Sequence, residues 1–257
     1  MTQTQRGTRN REAVIGILGG MGPEATARLF QLLTAATPAE HDQDHLHVLI
    51  NSDPKIPDRT AAILGSGEDP LPALVEGARL LERAGADFLI MPCNTAHHWL
   101  PALREEVRVP ILDMLRETVL VVARHAPQVS RIGLLATTGT VRTGLYESRL
   151  ASEGVAVVRP TDAEQEAVMS VIHAVKAGRA GLGPRLDEVG QALRRRGAQG
   201  LLLGCTELSV VDLPGSSDFP VFDPLRVLAE RAVLLAKDWD GPAARLVRRE
   251  ATGSDTG

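Results

Sequence analysis

Short apolar runs alternate with longer amphipathic stretches along most of the chain. The short runs have the length of buried strands, and the longer stretches repeat apolar residues at helical spacing. The predicted strands are Val14–Leu18, His47–Ile50, Phe88–Met91, Ile111–Leu112, Ile132–Leu135, Val155–Val158, Gly200–Leu203 and Val221–Phe222. The predicted helices are Pro23–Ala35, Pro70–Ala84, Leu115–His125, Gly139–Ser152, Glu164–Ala177, Pro184–Arg196 and Pro224–Lys237. This alternation predicts an α/β fold with parallel sheets flanked by helices.

Three short motifs occur twice in the same order, at a spacing of about 110 to 117 residues. The pairs are Ile15–Leu18 with Ile132–Leu135, Pro92–Thr95 with Gly204–Glu207, and Pro110–Asp113 with Pro220–Asp223. The repeat predicts two related α/β lobes. We expect the first to comprise residues 1–114 with 224–257, and the second residues 115–223.

Each lobe has one cysteine, Cys93 or Cys205, at the carboxyl end of a predicted strand. Ligands of open α/β sheets bind outside these strand ends, so two facing lobes would bring both thiols to one cleft. Two acid/base groups on opposite faces of a carbon atom are suited to inverting a stereocentre. The ordinary cysteine pKa of about 8.5 makes thiol and thiolate both accessible near neutral pH. The sequence therefore predicts proton transfer between the two thiols.

Composition narrows the possible partners. The chain has 257 residues, a net charge of −4 and 3% aromatic residues, which argues against nucleic acid or an anionic membrane as partner. The polar segment Met1–Glu12 has no apolar core of a secretory signal, and a cytoplasmic location is expected. With two cysteines, no Cys-x-x-Cys spacing and 7 histidines, we expect neither a metal site nor a disulfide.

Six segments between about residues 14 and 236 carry a family resemblance: Gly16–Pro23, Ile56–Thr60, Met91–His97, Gly133–Thr140, Val175–Gly178 and Gly204–Glu207. With these motifs the chain resembles the aspartate/glutamate racemase superfamily, and most closely its aspartate racemase branch. The resemblance implies two Rossmann-like domains related by pseudo-twofold symmetry, with the active site in the cleft between them. It also implies a small-molecule amino-acid substrate, catalysis without pyridoxal phosphate or another cofactor, and a homodimer.

The same resemblance implies roles for individual residues. Cys93 and Cys205 would be the two acid/base groups. The α-carboxylate and amine of the substrate would be held by Asn94, Thr95, Thr138, Thr206 and the backbone of Met21. Arg59 and Lys176 would bind an acidic side chain, and Asp58 and Glu207 would orient groups or tune the thiols.

Two positions depart from the pattern of the relatives. Ile172 stands where relatives often have tyrosine, four residues before the helix lysine, which leaves strict aspartate specificity open. Glu207 follows the second Cys-Thr pair, where the glutamate racemase branch typically has histidine, which makes glutamate less favoured as the main substrate. Broad specificity, or another isomerase activity of the superfamily, remains an alternative.

The sequence is also compatible with other functional classes. Gly20–Ala25 fits a dinucleotide fingerprint after a strand, which would indicate a nucleotide-binding oxidoreductase. His97 or His98 with Cys93 and Asp113 would suggest a cysteine hydrolase. Two lobes around a cleft also suit a ligand-binding protein, and each cysteine alone could be a small buried apolar residue.

Overall fold

The computed structural model describes residues 11–125, 128–213, 219–240 and residue 247. It contains two four-stranded parallel sheets flanked by helices, which confirms the predicted fold class. Residues 1–12 and about 241–257 are polar without periodicity, which predicts frayed tails, and they lie almost wholly outside the described residues.

The two sheets have the same strand order. The first sheet is ordered β2-β1-β3-β4 and the second β6-β5-β7-β8. The strands are β1 (Ile15–Gly19), β2 (Val48–Ser52), β3 (Phe88–Ile90), β4 (Ile111–Leu112), β5 (Arg131–Ala136), β6 (Ala156–Val158), β7 (Leu201–Gly204) and β8 (Val221–Phe222). All eight predicted strands are confirmed, with ends that differ by at most two residues.

The helices follow most of the predicted segments. They are α1 (Pro23–Ala36), α2 (Arg59–Ile63), α3 (Leu71–Arg83), α4 (Leu100–Glu106), α5 (Met114–Ala123), α6 (Thr138–Thr143), α7 (Glu147–Ser152), α8 (Asp162–Lys176), α9 (Gly183–Arg195) and α10 (Pro224–Lys237). The single helix predicted over Gly139–Ser152 is wrong, because Gly144 at φ 62° ends α6 in a left-handed turn before α7 begins. The short helices α2 and α4 were not predicted.

Gly16 in β1 and Gly133 in β5 occupy matching positions of the repeat, and close packing explains the glycine at both. A Cβ on Gly16 would lie 2.5 Å from Leu89 on the adjacent strand, and one on Gly133 would lie 2.9 Å from Leu201. Both glycines therefore allow close packing between the central strands and their neighbours.

The apolar core is also arranged as a repeat. One cluster combines residues of both sheets with the helices between them, including Ile15 and Ile132. Two further clusters each cover one sheet, and each contains one of the two cysteines, Cys93 in the first and Cys205 in the second.

The division into residues 1–114 with 224–257 and residues 115–223 stays a prediction. Helix α10 contacts α1 and α5, and the amide of Ala13 donates to the carbonyl of Ala236 at 3.0 Å.

Within the described ranges, no helix combines the length and the apolar character needed to cross a bilayer.

Candidate active site

Cys93 and Cys205 occupy equivalent positions in the two sheets. Cys93 follows the end of β3 by three residues, and Cys205 directly follows β7. Each leads into a short 3-10 helix, Thr95–Trp99 in the first lobe and Thr206–Val210 in the second. Both thiols are free and buried. The fold thus presents one thiol from each sheet at the carboxyl ends of its strands.

The two thiols line one small cavity, which we call the inner cavity, with a volume of about 20 Å³. Its other lining residues are Met21, Asp58, Arg59, Thr60, Asn94, Thr95, Thr137, Lys176, Thr206 and Glu207. Both lobes contribute to this wall. Such a volume is close to that of one water molecule, so the inner cavity is nearly closed.

Hydrogen bonds between the lobes hold the walls of the inner cavity together. The hydroxyl of Thr95 lies 2.9 Å from that of Thr137 and 3.0 Å from that of Thr140. The hydroxyl of Thr206 donates to the carbonyl of Pro92 at 3.0 Å. These contacts fix the loop of each cysteine against the other lobe.

Cys205 and Glu207 form a direct pair. The Cys205 thiol donates to Oε2 of Glu207 at 2.9 Å, and both residues are buried. Burial, together with the adjacent negative charge of Glu207 and this hydrogen bond, raises the pKa of the Cys205 thiol well above its ordinary value. Glu207 therefore favours the protonated form of Cys205.

Arg59 places a buried cation at the wall of the inner cavity. Its Nη1 donates to the carbonyls of Ile56 and Pro57, and its Nη2 lies 3.4 Å from the carbonyl of Met21. In the described part of the chain, no carboxylate lies within ion-pair distance of Arg59. A buried guanidinium held only by carbonyls is suited to an anionic ligand.

Asp58 begins the helix that carries Arg59. Its carboxylate accepts from the amide of Ala61 at 2.8 Å and caps α2. Burial raises the pKa of Asp58, but the bond from Ala61 and the charges of Lys176 and Arg59 outweigh it, and the net pKa is lowered. Asp58 is therefore an ionised carboxylate that interacts electrostatically with both cations.

A larger cavity of about 530 Å³ adjoins the inner cavity and is called here the outer cavity. It shares Asp58, Arg59, Lys176 and Glu207 with the inner cavity. The rest of its wall comprises Gly20, Gly22, Pro23, Glu24, Pro54, Ile56 and Gly178. Both predicted cations, Arg59 and Lys176, thus lie at the boundary between the thiols and the larger space.

A family model described as Asp/Glu/Hydantoin racemase matches residues 18–232. The chain belongs to this racemase family. The membership confirms both the resemblance given by the sequence motifs and the expectation of an isomerase.

Individual relatives agree with this placement. The broad specificity amino-acid racemase RacX of Bacillus subtilis is 29% identical over 233 residues, which are 86% of this chain and 96% of the relative. The solved structure of the Picrophilus torridus aspartate racemase is 34% identical, covering 88% of this chain and 94% of its own, with a TM-score of 0.78. An aspartate racemase homologue from Pyrococcus horikoshii, at 24% identity and a TM-score of 0.70, covers 88% of this chain and all of its own and shows the same fold.

Most residues expected from the racemase resemblance lie at the inner cavity, and Thr138 does not. Thr138 lines a separate cavity along α8, where its amide contacts Met169 and its hydroxyl accepts from Gln165. The preceding residue, Thr137, lines the inner cavity instead, because it is the N-cap of α6 and its hydroxyl accepts from the amide of Thr140.

Sequence reasoning missed Thr60 and Thr137 at the inner cavity, although both lie in the quoted motifs. It also missed Tyr146, whose hydroxyl donates to Oδ1 of Asn94 across 52 residues of sequence. No local motif indicates this contact. Ile172, at the position where relatives often have tyrosine, is fully buried in the core of the second sheet.

The ring of His97 interacts with backbone groups and not with a cysteine thiol, as a cysteine hydrolase would require. Its Nδ1 lies 2.8 Å from the carbonyl of Cys93, and its Nε2 accepts from the amide of Met114 at 3.2 Å. Burial lowers the pKa of His97, which keeps the ring neutral, with the proton on Nδ1. Both ring nitrogens are thus used by backbone groups, and neither is paired with the Cys93 thiol.

The glycine-rich turn between β1 and α1 has a packing reason of its own. Gly20 has φ 94°, and a Cβ there would lie 2.2 Å from the backbone of Asp53. The close approach of this turn to the segment after β2 is therefore sufficient to explain the glycine, and a bound nucleotide is not needed to explain it. Among the described residues, no three histidine, cysteine or acidic side chains are grouped in a way that would hold a metal ion.

Proposed function

We propose that the protein racemises amino acids, with aspartate as its principal substrate, by moving the α-proton between Cys93 and Cys205 without a cofactor. One observation carries this proposal. The two thiols come from equivalent positions of two sheets and line one cavity, together with groups suited to a carboxylate.

In the proposed reaction one cysteine is thiolate and the other is thiol when the substrate binds. The thiolate removes the α-proton and becomes a thiol, and the electron pair of the broken C–H bond passes into the carboxylate as an enediolate. The opposite thiol then delivers its proton to the other face of the carbon and becomes the thiolate. The reverse reaction uses the same groups with their roles exchanged.

The polar wall suits the two ends of an α-amino acid. Asn94 has an amide nitrogen without a hydrogen-bond partner in the described structure, so it is free to donate to a carboxylate. The Thr206 hydroxyl already donates to Pro92, and its oxygen remains available to accept from a substrate ammonium group. Donors at the carboxylate are important because the negative charge of the enediolate develops there.

The substrate side chain is assigned to the outer cavity. The inner cavity is too small for an amino acid, so a substrate centred between the thiols must extend past Arg59 and Lys176. Two cations at this boundary favour a second carboxylate, as in aspartate. The volume of about 530 Å³ also favours a second candidate, a broad-specificity racemase that accepts longer side chains.

We also propose that the protein is a homodimer, which the family resemblance implies, and that it acts in the cytoplasm. Sedimentation equilibrium of the purified chain tests the assembly: a mass of about twice 27.5 kDa supports the dimer, and a mass of 27.5 kDa contradicts it.

The activity is tested by incubating the purified protein in D₂O with single enantiomers of aspartate, glutamate, alanine and lysine, with no cofactor added. Proton NMR follows loss of the α-proton signal, and circular dichroism follows loss of optical activity. We expect both losses for aspartate, with smaller rates for neutral amino acids. Retention of the α-proton in every amino acid tested would reject the racemase assignment.

A further inference from the structure

Tyr146 is the one tyrosine of the chain, and it lies fully buried directly before α7 in the second lobe. Its hydroxyl donates to Oδ1 of Asn94, which belongs to the first lobe and directly follows Cys93. The side chain thus links the core of one lobe to the polar wall of the proposed active site.

The other end of the Asn94 amide has no such link. Nδ2 is buried and has no hydrogen-bond partner in the described structure, and Asn94 is only 1% exposed. An unpaired buried donor is costly, and a native protein that keeps one usually has a use for it. Because Asn94 lines the cavity that contains both thiols, a bound substrate would supply the missing acceptor.

The phenol determines which end of the amide faces the cavity. Burial raises the pKa of Tyr146 well above its ordinary value, so the hydroxyl keeps its proton over the working pH range. That proton needs an acceptor, and the amide oxygen of Asn94 supplies one, while the nitrogen is a donor only. The pairing of Tyr146 with Oδ1 therefore leaves Nδ2 on the cavity side.

We propose that Tyr146 is a positioning residue that locks the Asn94 amide with Nδ2 directed at the carboxylate of the substrate. This inference rests on the racemase function proposed above. Asn94 would donate to the carboxylate in the ground state and more strongly to the enediolate as charge develops. Tyr146 acts only through Asn94 and does not touch the substrate.

The role predicts a specific kinetic pattern. A donor that is oriented in advance contributes more in the transition state than in the ground state, so its loss lowers kcat more than it raises KM. Removal of a fixed oxyanion donor costs on the order of 10²- to 10³-fold in kcat, which we expect for Asn94→Ala. Tyr146→Phe keeps the amide but frees its rotation, and we expect a smaller loss of about five- to tenfold.

A double-mutant cycle tests the coupling between these two residues. It compares wild type, Tyr146→Phe, Asn94→Ala and the double variant by kcat, KM and α-proton exchange with aspartate. We expect Tyr146→Phe to lower kcat in the wild-type background and to have no further effect in the Asn94→Ala background. An unchanged kcat in Tyr146→Phe, or an equal loss in both backgrounds, would overturn the inference.

Thr118→Val is the matched control. Thr118 is fully buried and its hydroxyl donates to the carbonyl of Met114 at 2.7 Å. It is also a hydrogen-bond neighbour of the Tyr146 phenol, so Thr118→Val changes the surroundings of the phenol but leaves its bond to Asn94 in place. We expect this variant to keep the wild-type kcat. A loss of kcat equal to that of Tyr146→Phe would mean that the surroundings of the phenol, and not its hydrogen bond to Asn94, determine kcat.

A measurement that needs no turnover tests the role of Tyr146 independently of the proposed racemase function. In ¹⁵N-labelled protein without substrate, the side-chain amide protons of Asn94 should exchange with solvent faster in Tyr146→Phe than in wild type. If these amide protons exchange at the same rate in both proteins, Tyr146 does not hold the Asn94 amide, even if the wild type racemises aspartate. Conversely, faster amide exchange in a protein that leaves every α-proton in place would reject the racemase assignment and keep the contact between the two residues.

Discussion

The thiol of Cys205 donates a hydrogen bond of 2.9 Å to Oε2 of Glu207. This contact makes the two proposed acid/base groups unequal, because the carboxylate stabilises the proton on Cys205. At Cys93 the nearby His97 is instead neutral and bonded to the backbone carbonyl. We infer that Cys205 is in its thiol form in the resting enzyme.

Glu207→Gln should lower the pKa of Cys205. The variant removes the negative charge that disfavours the thiolate, while the side chain keeps its size. In the direction in which Cys205 accepts the α-proton, kcat/KM rises as the thiolate forms, and this rise should move to lower pH. The measurement is kcat/KM against pH for both enantiomers of aspartate.

Glu188→Gln is the control for that profile. The substitution removes the same charge from an exposed residue on α9 that lines neither the inner nor the outer cavity. We expect its profile to match wild type. A profile of Glu207→Gln that stays in place, or that moves to higher pH, contradicts the role given to Glu207.

Lys176→Met should lower kcat/KM selectively for acidic substrates. Lys176 is exposed at the end of α8 and borders both cavities, so its loss should leave the fold intact. A hydrogen bond to a charged group contributes about 1.5 to 3 kcal/mol, which predicts a loss on the order of tenfold or more in kcat/KM for aspartate. The rate with alanine should change little.

The matched control is Arg83→Met, which removes an exposed cation from the last turn of α3. Its kinetic constants with both substrates should equal those of wild type. An equal loss for aspartate and alanine in Lys176→Met would show that Lys176 does not recognise the side chain.

Glu164 and Arg196 predict a component of acid sensitivity. Two hydrogen bonds of 2.8 and 2.6 Å from Arg196 lower the pKa of Glu164 to about 2. A carboxylate with a lowered pKa stabilises the fold above its ordinary pKa, and this contribution is lost as pH falls toward 2. Because the pair lies at the surface, we expect Glu164→Gln to reduce the free energy of unfolding at pH 7 by only about 0.2 to 1 kcal/mol.

Urea unfolding at pH 7 and pH 2 checks this prediction. The difference between Glu164→Gln and wild type should be present at pH 7 and much smaller at pH 2. The exposed Glu153→Gln on the same lobe serves as control and should match wild type at both values. A difference that grows at low pH would contradict the role of the pair.

The strands were predictable because each is a short apolar run buried in a parallel sheet, where local composition and tertiary environment agree. The segment Gly139–Ser152 was not, because its apolar spacing continues through Gly144 while the backbone turns there. The short helix α2 begins at Arg59 after the Asp58 cap and has only five residues, too few for a periodic pattern.

At the candidate site, sequence motifs indicated the residues that lie beside the cysteines, such as Asn94 and Thr206. They did not distinguish Thr137 from Thr138, because the choice depends on how the N-cap turns at the start of α6. Tyr146 could not be predicted at all. Its relation to Asn94 arises from the packing of one lobe on the other and leaves no local signal.

The central claim, that one thiol serves each face of the substrate, is tested most directly by stereospecific exchange in the variants Cys93→Ser and Cys205→Ser. Each variant is incubated in D₂O with pure L-aspartate and, separately, with pure D-aspartate. Loss of a general acid or base costs about 10²- to 10⁴-fold, so racemisation should fall by at least that range in both variants. We predict that any residual α-proton exchange will be confined to one enantiomer in Cys93→Ser and to the opposite enantiomer in Cys205→Ser. Racemisation at the wild-type rate in either variant, or residual exchange of the same enantiomer in both, would contradict the account.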